Sequence, residues 1–166
     1  MKIGVRALFL TLLLAATALA EERVIKLPNG EELRYEVIQP GSASSSRDTA
    51  LQILRHLANG ELEAASKMSN APQRRLEVLR QFQGSVGEEQ FKHLFGRYFA
   101  PENRILAEAA IGKHRLLIWD LGEAGNQLAG QYYVEADGRF LMDDVPSETR
   151  SKLQRVLESF RQQTTK

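Results

Sequence analysis

Cysteine is absent from this chain of 166 residues. That excludes a disulfide framework, a thiolate nucleophile and a lipoprotein attachment site. A surplus of either charge is absent too, since 22 Lys and Arg stand against 21 Asp and Glu, a formal net charge of +1. Acidic and basic residues interleave along the whole length, without the basic stripe that gives phosphate-backbone binding its affinity, so nucleic acid is disfavoured as a partner. Beyond the N-terminus, no apolar run approaches the roughly 20 residues that a bilayer span needs. The common catalytic templates are missing as well: no G-x-S-x-G elbow, Walker loop, G-x-G-x-x-G fingerprint, H-E-x-x-H or other close histidine pair occurs. These absences remove templates and leave catalysis by dispersed residues open.

What is present begins with an export signal over residues 1–20. Lys2 and Arg6 make a positive start, residues 7–16 are apolar apart from Thr11, and Ala18-Leu19-Ala20 offers small residues where a signal peptidase reads. Cleavage is expected after Ala20, and the apolar stretch is too short to be a membrane span. Losing Lys2 and Arg6 removes the slight basicity of the whole chain. An exported domain with no cysteine must rely on a packed core, which suits a periplasmic or secreted bacterial protein. What remains is of a length for one domain, able to bury roughly two-thirds of its unfolded surface.

Residues 21–40 read as a β-hairpin, with strands over 24–27 and 33–38 and Asn29-Gly30 supplying the positive φ values of a tight turn. Residues 41–46, rich in Gly and Ser, read as a linker, and the hairpin is expected as an appendage. Residues 47–166 then form the main domain. In the first helix, Leu51, Leu54, Leu57 and Ala58 share a face, Ser45 and Asp48 suit its start, and Asn59-Gly60 suits its end. A short helix over 61–68 follows, then one opened by Pro72 that carries Leu76, Leu79 and Phe82 up to the break at 84–87. In a fourth helix Phe91, Leu94, Phe95, Tyr98 and Phe99 form an aromatic stripe expected to cover a sheet. Strands are expected over 104–111, 113–121, 127–135 and 139–144, joined as an antiparallel meander. Ser147 caps a last helix with Leu153, Val156, Leu157 and Phe160 on one face. Helices first and a meander afterwards indicate α+β, with helices on one face of a curved, mainly antiparallel sheet, plus an added N-terminal hairpin and C-terminal helix.

Two segments carry a resemblance. Asp48-Thr49-Ala50-Leu51 through Asn59-Gly60-Glu61-Leu62-Glu63-Ala64-Ala65 resembles the opening of the NTF2-like (SnoaL-like) superfamily, where a helix ends in a Gly-acidic turn and re-enters a second helix. Gln131-Tyr132-Tyr133-Val134-Glu135-Ala136-Asp137-Gly138-Arg139-Phe140-Leu141-Met142 is similar to its last hairpin. The resemblance covers residues 46–145 and rests on shape and turns. It implies a cone-shaped cavity whose mouth the hairpin or the last helix could cover, and it carries no catalytic signature.

Chemistry-bearing residues are sparse. His56 suits the C-terminal end of the first helix, and His93 an exposed face. His114 and Asp120 share a strand face but lie about 20 Å apart at about 3.3 Å per residue, too far for a dyad. Leu116 and Ile118 alternate with Leu117 and Trp119, so the strand that holds them is expected to be buried on both sides. Asp143 and Asp144 diverge as strand neighbours, and strand-end solvation is their expected role. Tyr98, Trp119 and Tyr132 are candidates to line a ligand cavity, together with Tyr133, although core packing uses aromatics at the same periods.

The expectation is a non-catalytic binding or interaction module of the bacterial envelope, taking a protein partner or a small hydrophobic ligand, with no metal or cofactor called for. The alternative is a SnoaL-like isomerase, cyclase or hydrolase, with Asp120, His114 or Asp144 in an apolar cavity beside Tyr132 or Trp119. A purely structural subunit is a third reading, and a dimer is compatible with the sequence.

Overall fold

A computed structural model describes residues 20–39, 46–122 and 128–164. The signal segment, residues 1–19, and most of the expected linker, 41–45, lie outside the described residues. The element order is β1 (Glu21–Lys26), β2 (Glu32–Ile38), α1 (Ser46–Ala58), α2 (Leu62–Ser66), α3 (Pro72–Val86), α4 (Glu88–Gly96), a 3-10 turn (Arg97–Phe99), β3 (Asn103–Ile111), β4 (His114–Leu121), β5 (Leu128–Ala136), β6 (Arg139–Met142) and α5 (Glu148–Thr164). The six strands form one sheet in sequence order, every neighbour antiparallel. The fold is α+β, with helices packed on a curved antiparallel sheet and a C-terminal helix added.

Turn chemistry sets the register. Gly30 has φ 86°, and Asp137 and Gly138 both have positive φ, which brings β5 back as β6 through the kind of two-residue turn that matches strand twist. In β3 the register shifts between Ile105 and Ala107, so Leu106 is an extra residue and the strand bends there. Asn59-Gly60 closes α1: Gly60 has φ 77°, and the amides of Gly60 and Glu61 donate to the carbonyls of Leu57 and His56. Pro72 opens α3. Ser147 caps α5, its Oγ accepting from the Arg150 amide at 3.1 Å.

Both faces of the sheet are covered. On one face Leu117, Trp119, Tyr133 and Phe140 pack with Ala50, Ile53, Leu54, Leu57, Leu79 and Phe91 of α1, α3 and α4. On the other, Leu33, Tyr35, Val37, Ala109, Leu116 and Ile118 pack with Leu153, Val156 and Leu157 of α5. The residues of β4 from Leu116 to Trp119 are therefore buried whichever way they point, as their apolar run requires.

The hairpin is no appendage. Glu36, Val37 and Ile38 of β2 pair with β3, and Leu33, Tyr35 and Val37 are buried beneath α5. The alternating apolar residues of β2 need a partner surface, and β3 and α5 supply it. Of the aromatic stripe, Phe91, Phe95 and Tyr98 join the cluster on the sheet face that α1, α3 and α4 cover, whereas Phe99 is exposed. Phe91 and Phe95 pack with Phe82 of α3 in tilted and edge-on pairs, and Tyr98 stands edge-on to Trp119 at 5.2 Å.

Candidate functional site

β6 is short and pairs with residues 133–136 of β5, so towards Leu128 β5 has no strand paired on that side among the described residues. The chain after α2 returns to this corner. The Asn70 amide donates to the Met142 carbonyl and the Met142 amide to the Met68 carbonyl, which lays residues 68–70 along the outer edge of β6. Between this corner, helices α1, α3 and α4, and the first turn of α5 lies a slot of about 270 Å³. Ile53, Leu54, Leu57, Leu79, Phe95 and Met142 give it apolar walls. Its polar lining is Arg75, Gln131, Tyr132, Asp143, Asp144 and Arg150.

The carboxylates here are held rather than free. Asp144 accepts from Ser69 Oγ at 2.6 Å and from Arg75 through Nε, at 2.7 Å, and Nη2, a two-pronged pair with fixed geometry. Asp143 is 3% exposed, against the strand-end solvation expected of it. Its Oδ1 accepts from Asn70 Nδ2 at 2.8 Å and its Oδ2 from His114 Nδ1 at 3.0 Å. Asn70 Oδ1 in turn accepts the Asp144 amide at 2.8 Å. A buried carboxylate without such donors would be costly, so Ser69, Asn70, Arg75 and His114 make the pair of aspartates tolerable. The two side chains do diverge, one towards His114 and the other towards Arg75.

Arg150 differs from its neighbours. Its Cζ stands 5.2 Å from the Tyr132 ring centroid, a cation–π contact. Its Nε is buried with no hydrogen-bond partner, and no carboxylate among the described residues pairs with its guanidinium. Burial raises the Tyr132 hydroxyl above the ordinary tyrosine range, with Arg150 and Arg161 opposing and Glu158 adding to it.

The three aromatics singled out from the sequence separate. Tyr132 lines the slot, whereas Trp119 is in the core with its Nε1 donating to Gln131 Oε1 at 3.0 Å. Tyr98 touches Trp119 and borders a second groove of about 340 Å³ with Phe82, Leu94, Phe95 and Leu121. Tyr133 is fully buried, donates to the same Gln131 Oε1 at 3.1 Å, and has its hydroxyl pushed far above the ordinary range by desolvation. Asp120 faces Arg104 across the β3–β4 pair, away from the slot. His56 pairs with Glu61 at 2.5 Å beside the α1 C-terminus, and His93 is exposed. Among the described residues, no group of three or more His, Asp or Glu side chains could hold a metal ion, and no helix is long and apolar enough to cross a membrane.

Sequence reasoning missed Ser69, Asn70, Arg75 and Arg150. Ser69-Asn70 in a short link between helices was the available signal, because two polar side chains there suit hydrogen bonding to a neighbouring chain end. Comparison with known proteins finds no family model that matches the chain, and no curated protein or solved structure that matches it.

Proposed function

We propose that the chain is an exported binding module of the bacterial envelope, an NTF2-like domain whose slot beside β5 receives a small hydrophobic ligand and leaves it chemically unchanged. The observation that carries this reading is the slot itself: apolar walls from three helices, with the two carboxylates of its polar lining held by Asn70, Arg75 and His114. Concave, largely apolar sites with a few placed polar groups are where small ligands bind. The helix–Gly60–helix opening and the Asp137–Gly138 hairpin support the superfamily assignment, and the tripartite N-terminus supports export.

An isomerase, cyclase or hydrolase needs an acid or base free to reach substrate. Asp144 is the one of the three candidates Asp120, His114 and Asp144 that lines the slot, and Arg75 and Ser69 occupy both of its oxygens. Reading the site as non-catalytic follows from that occupancy. A protein-docking role has its own support in the exposed Val78, Phe82 and Phe99, but no partner surface is indicated for them.

The test is extraction. Protein purified from a periplasmic fraction, denatured and extracted into organic solvent, is expected to release a small apolar compound in stoichiometric amount. The stripped protein is expected to melt at a lower temperature than the loaded one. An empty extract, together with no thermal shift from a panel of apolar compounds, would overturn the reading.

A further inference from the structure

We infer that the ligand carries an anionic, two-oxygen head group and that Arg150 receives it; this rests on the slot being the ligand site. The charge of the lining is unevenly spent. Arg75 is bound to Asp144 through two nitrogens, and Asp143 is bound by Asn70 and His114. Arg150, at the third position of α5, is the cation of that lining with no carboxylate paired to it among the described residues. Burying a guanidinium N–H without an acceptor is unfavourable, and Arg150 Nε–H is left without one.

The chemistry of the missing acceptor follows from the donor. A guanidinium presents paired N–H groups in a planar fork that matches the two oxygens of a carboxylate or phosphate in two parallel, charge-assisted bonds, a geometry that the single neutral oxygen of an alcohol does not reproduce. Nε is out of reach of solvent as the side chain stands, so engaging it takes a rotation of the guanidinium over the Tyr132 ring. Stacking on an aromatic face permits sliding and turning with little loss of contact, because the attraction depends on the ring face as a whole. The apolar walls supplied by Ile53, Leu54, Leu57 and Leu79 then take the tail. An aliphatic carboxylate fits both ends: of the two carboxylates in the lining, Asp144 is matched by Arg75, and Asp143 accepts from Asn70 and His114.

The experiment uses the full mature chain and three probes with one tail: octanoate, octanol and octylphosphate. Calorimetry is expected to show octanoate binding at least tenfold more tightly than octanol, with Arg150→Met abolishing that preference while keeping the octanol affinity. Arg150→Lys is expected to recover part of it, since charge without the fork supplies only a point contact. Nitrogen-15 spectra of the arginine side chains are expected to show the Arg150 Nε–H resonance moving downfield with octanoate and staying in place with octanol. Tighter octylphosphate than octanoate binding would assign a phosphate head and leave Arg150 as the receptor. Equal binding of octanoate and octanol to the unaltered chain would overturn the inference and leave the slot reading intact. No binding of any probe would overturn the slot reading, and the inference with it.

Discussion

Glu108 offers a quantitative test of how the helical layer is fastened to the sheet. Its side chain lies on β3, fully buried, and it accepts from Ser46 Oγ at 2.7 Å and from Arg47 Nε at 3.0 Å, both in the first turn of α1. The helix start adds its own preference for negative charge. Removing one partner of a buried pair leaves a charge that neither water nor protein satisfies, at a cost of about 3–5 kcal/mol. Arg47 is 20% exposed in its side chain and the Ser46 bond survives its loss, so Arg47→Ala belongs at the lower end of that range. Set against a total stability of about 5–15 kcal/mol, this is a large fraction. Ser46→Ala removes one charge-assisted bond and is expected to cost about 1.5–3 kcal/mol. The triple variant Ser46→Ala, Arg47→Met, Glu108→Met removes the charges together and is expected to be more stable than Arg47→Ala alone. Urea unfolding followed through Trp119, the single tryptophan, reads these differences. With a slope of about 1–3 kcal/mol per molar urea, Arg47→Ala shifts the midpoint by about 1–3 M. A cost below about 1 kcal/mol, the size of a surface pair, would refute the reasoning. So would a triple variant weaker than the single one.

Other perturbations follow from the same structure. Asn70→Ala unties Asp143 Oδ1 and the Asp144 amide at once and is expected to cost about 2–4 kcal/mol by urea unfolding. Asn70→Asp, which sets a third carboxylate beside the pair, is expected to cost more than Asn70→Ala at neutral pH. Gly60→Ala forces a side chain into left-handed backbone and is expected to cost about 1–2 kcal/mol, with Gly60→Asn less damaging. All four tyrosines, Tyr35, Tyr98, Tyr132 and Tyr133, have hydroxyls raised chiefly by burial. A raised folded-state pKa contributes stability that is complete below the unfolded value and is lost as pH climbs past it. Tyr133 alone should therefore cost about 1.4 kcal/mol per pH unit once pH exceeds about 10. Tyrosinate absorbance is expected to appear together with loss of tertiary structure; ionisation of all four in the still-folded chain would contradict this.

Local signals in the sequence carried most of the fold. Asn29-Gly30, Asn59-Gly60, Pro72, Asp137-Gly138 and Ser147 each act through one residue's φ, a missing N–H or a cap, and each turns or caps the chain where it was expected to. Alternation in β2 marked Leu33, Tyr35 and Val37 as one face, but periodicity does not say what covers a face, so α5 as their cover was not legible. The site was harder to read because its contacts are long-range. Asn70 meets Asp143 across 73 positions and Arg75 meets Asp144 across 69. Glu108 sits in a strand whose other charged residue, Arg104, is exposed, and only the folded chain reveals that α1 begins above it.

The most direct test of the ligand slot is a map of where octanoate binds, made by titrating it into the isotope-labelled mature chain and following backbone and methyl resonances. Shifts are expected only at Leu54, Leu79, Gly130, Tyr132, Met142 and Arg150, saturating with a single constant. Shifts clustered instead on Val78, Phe82 and Phe99, or absent altogether, would contradict the slot reading.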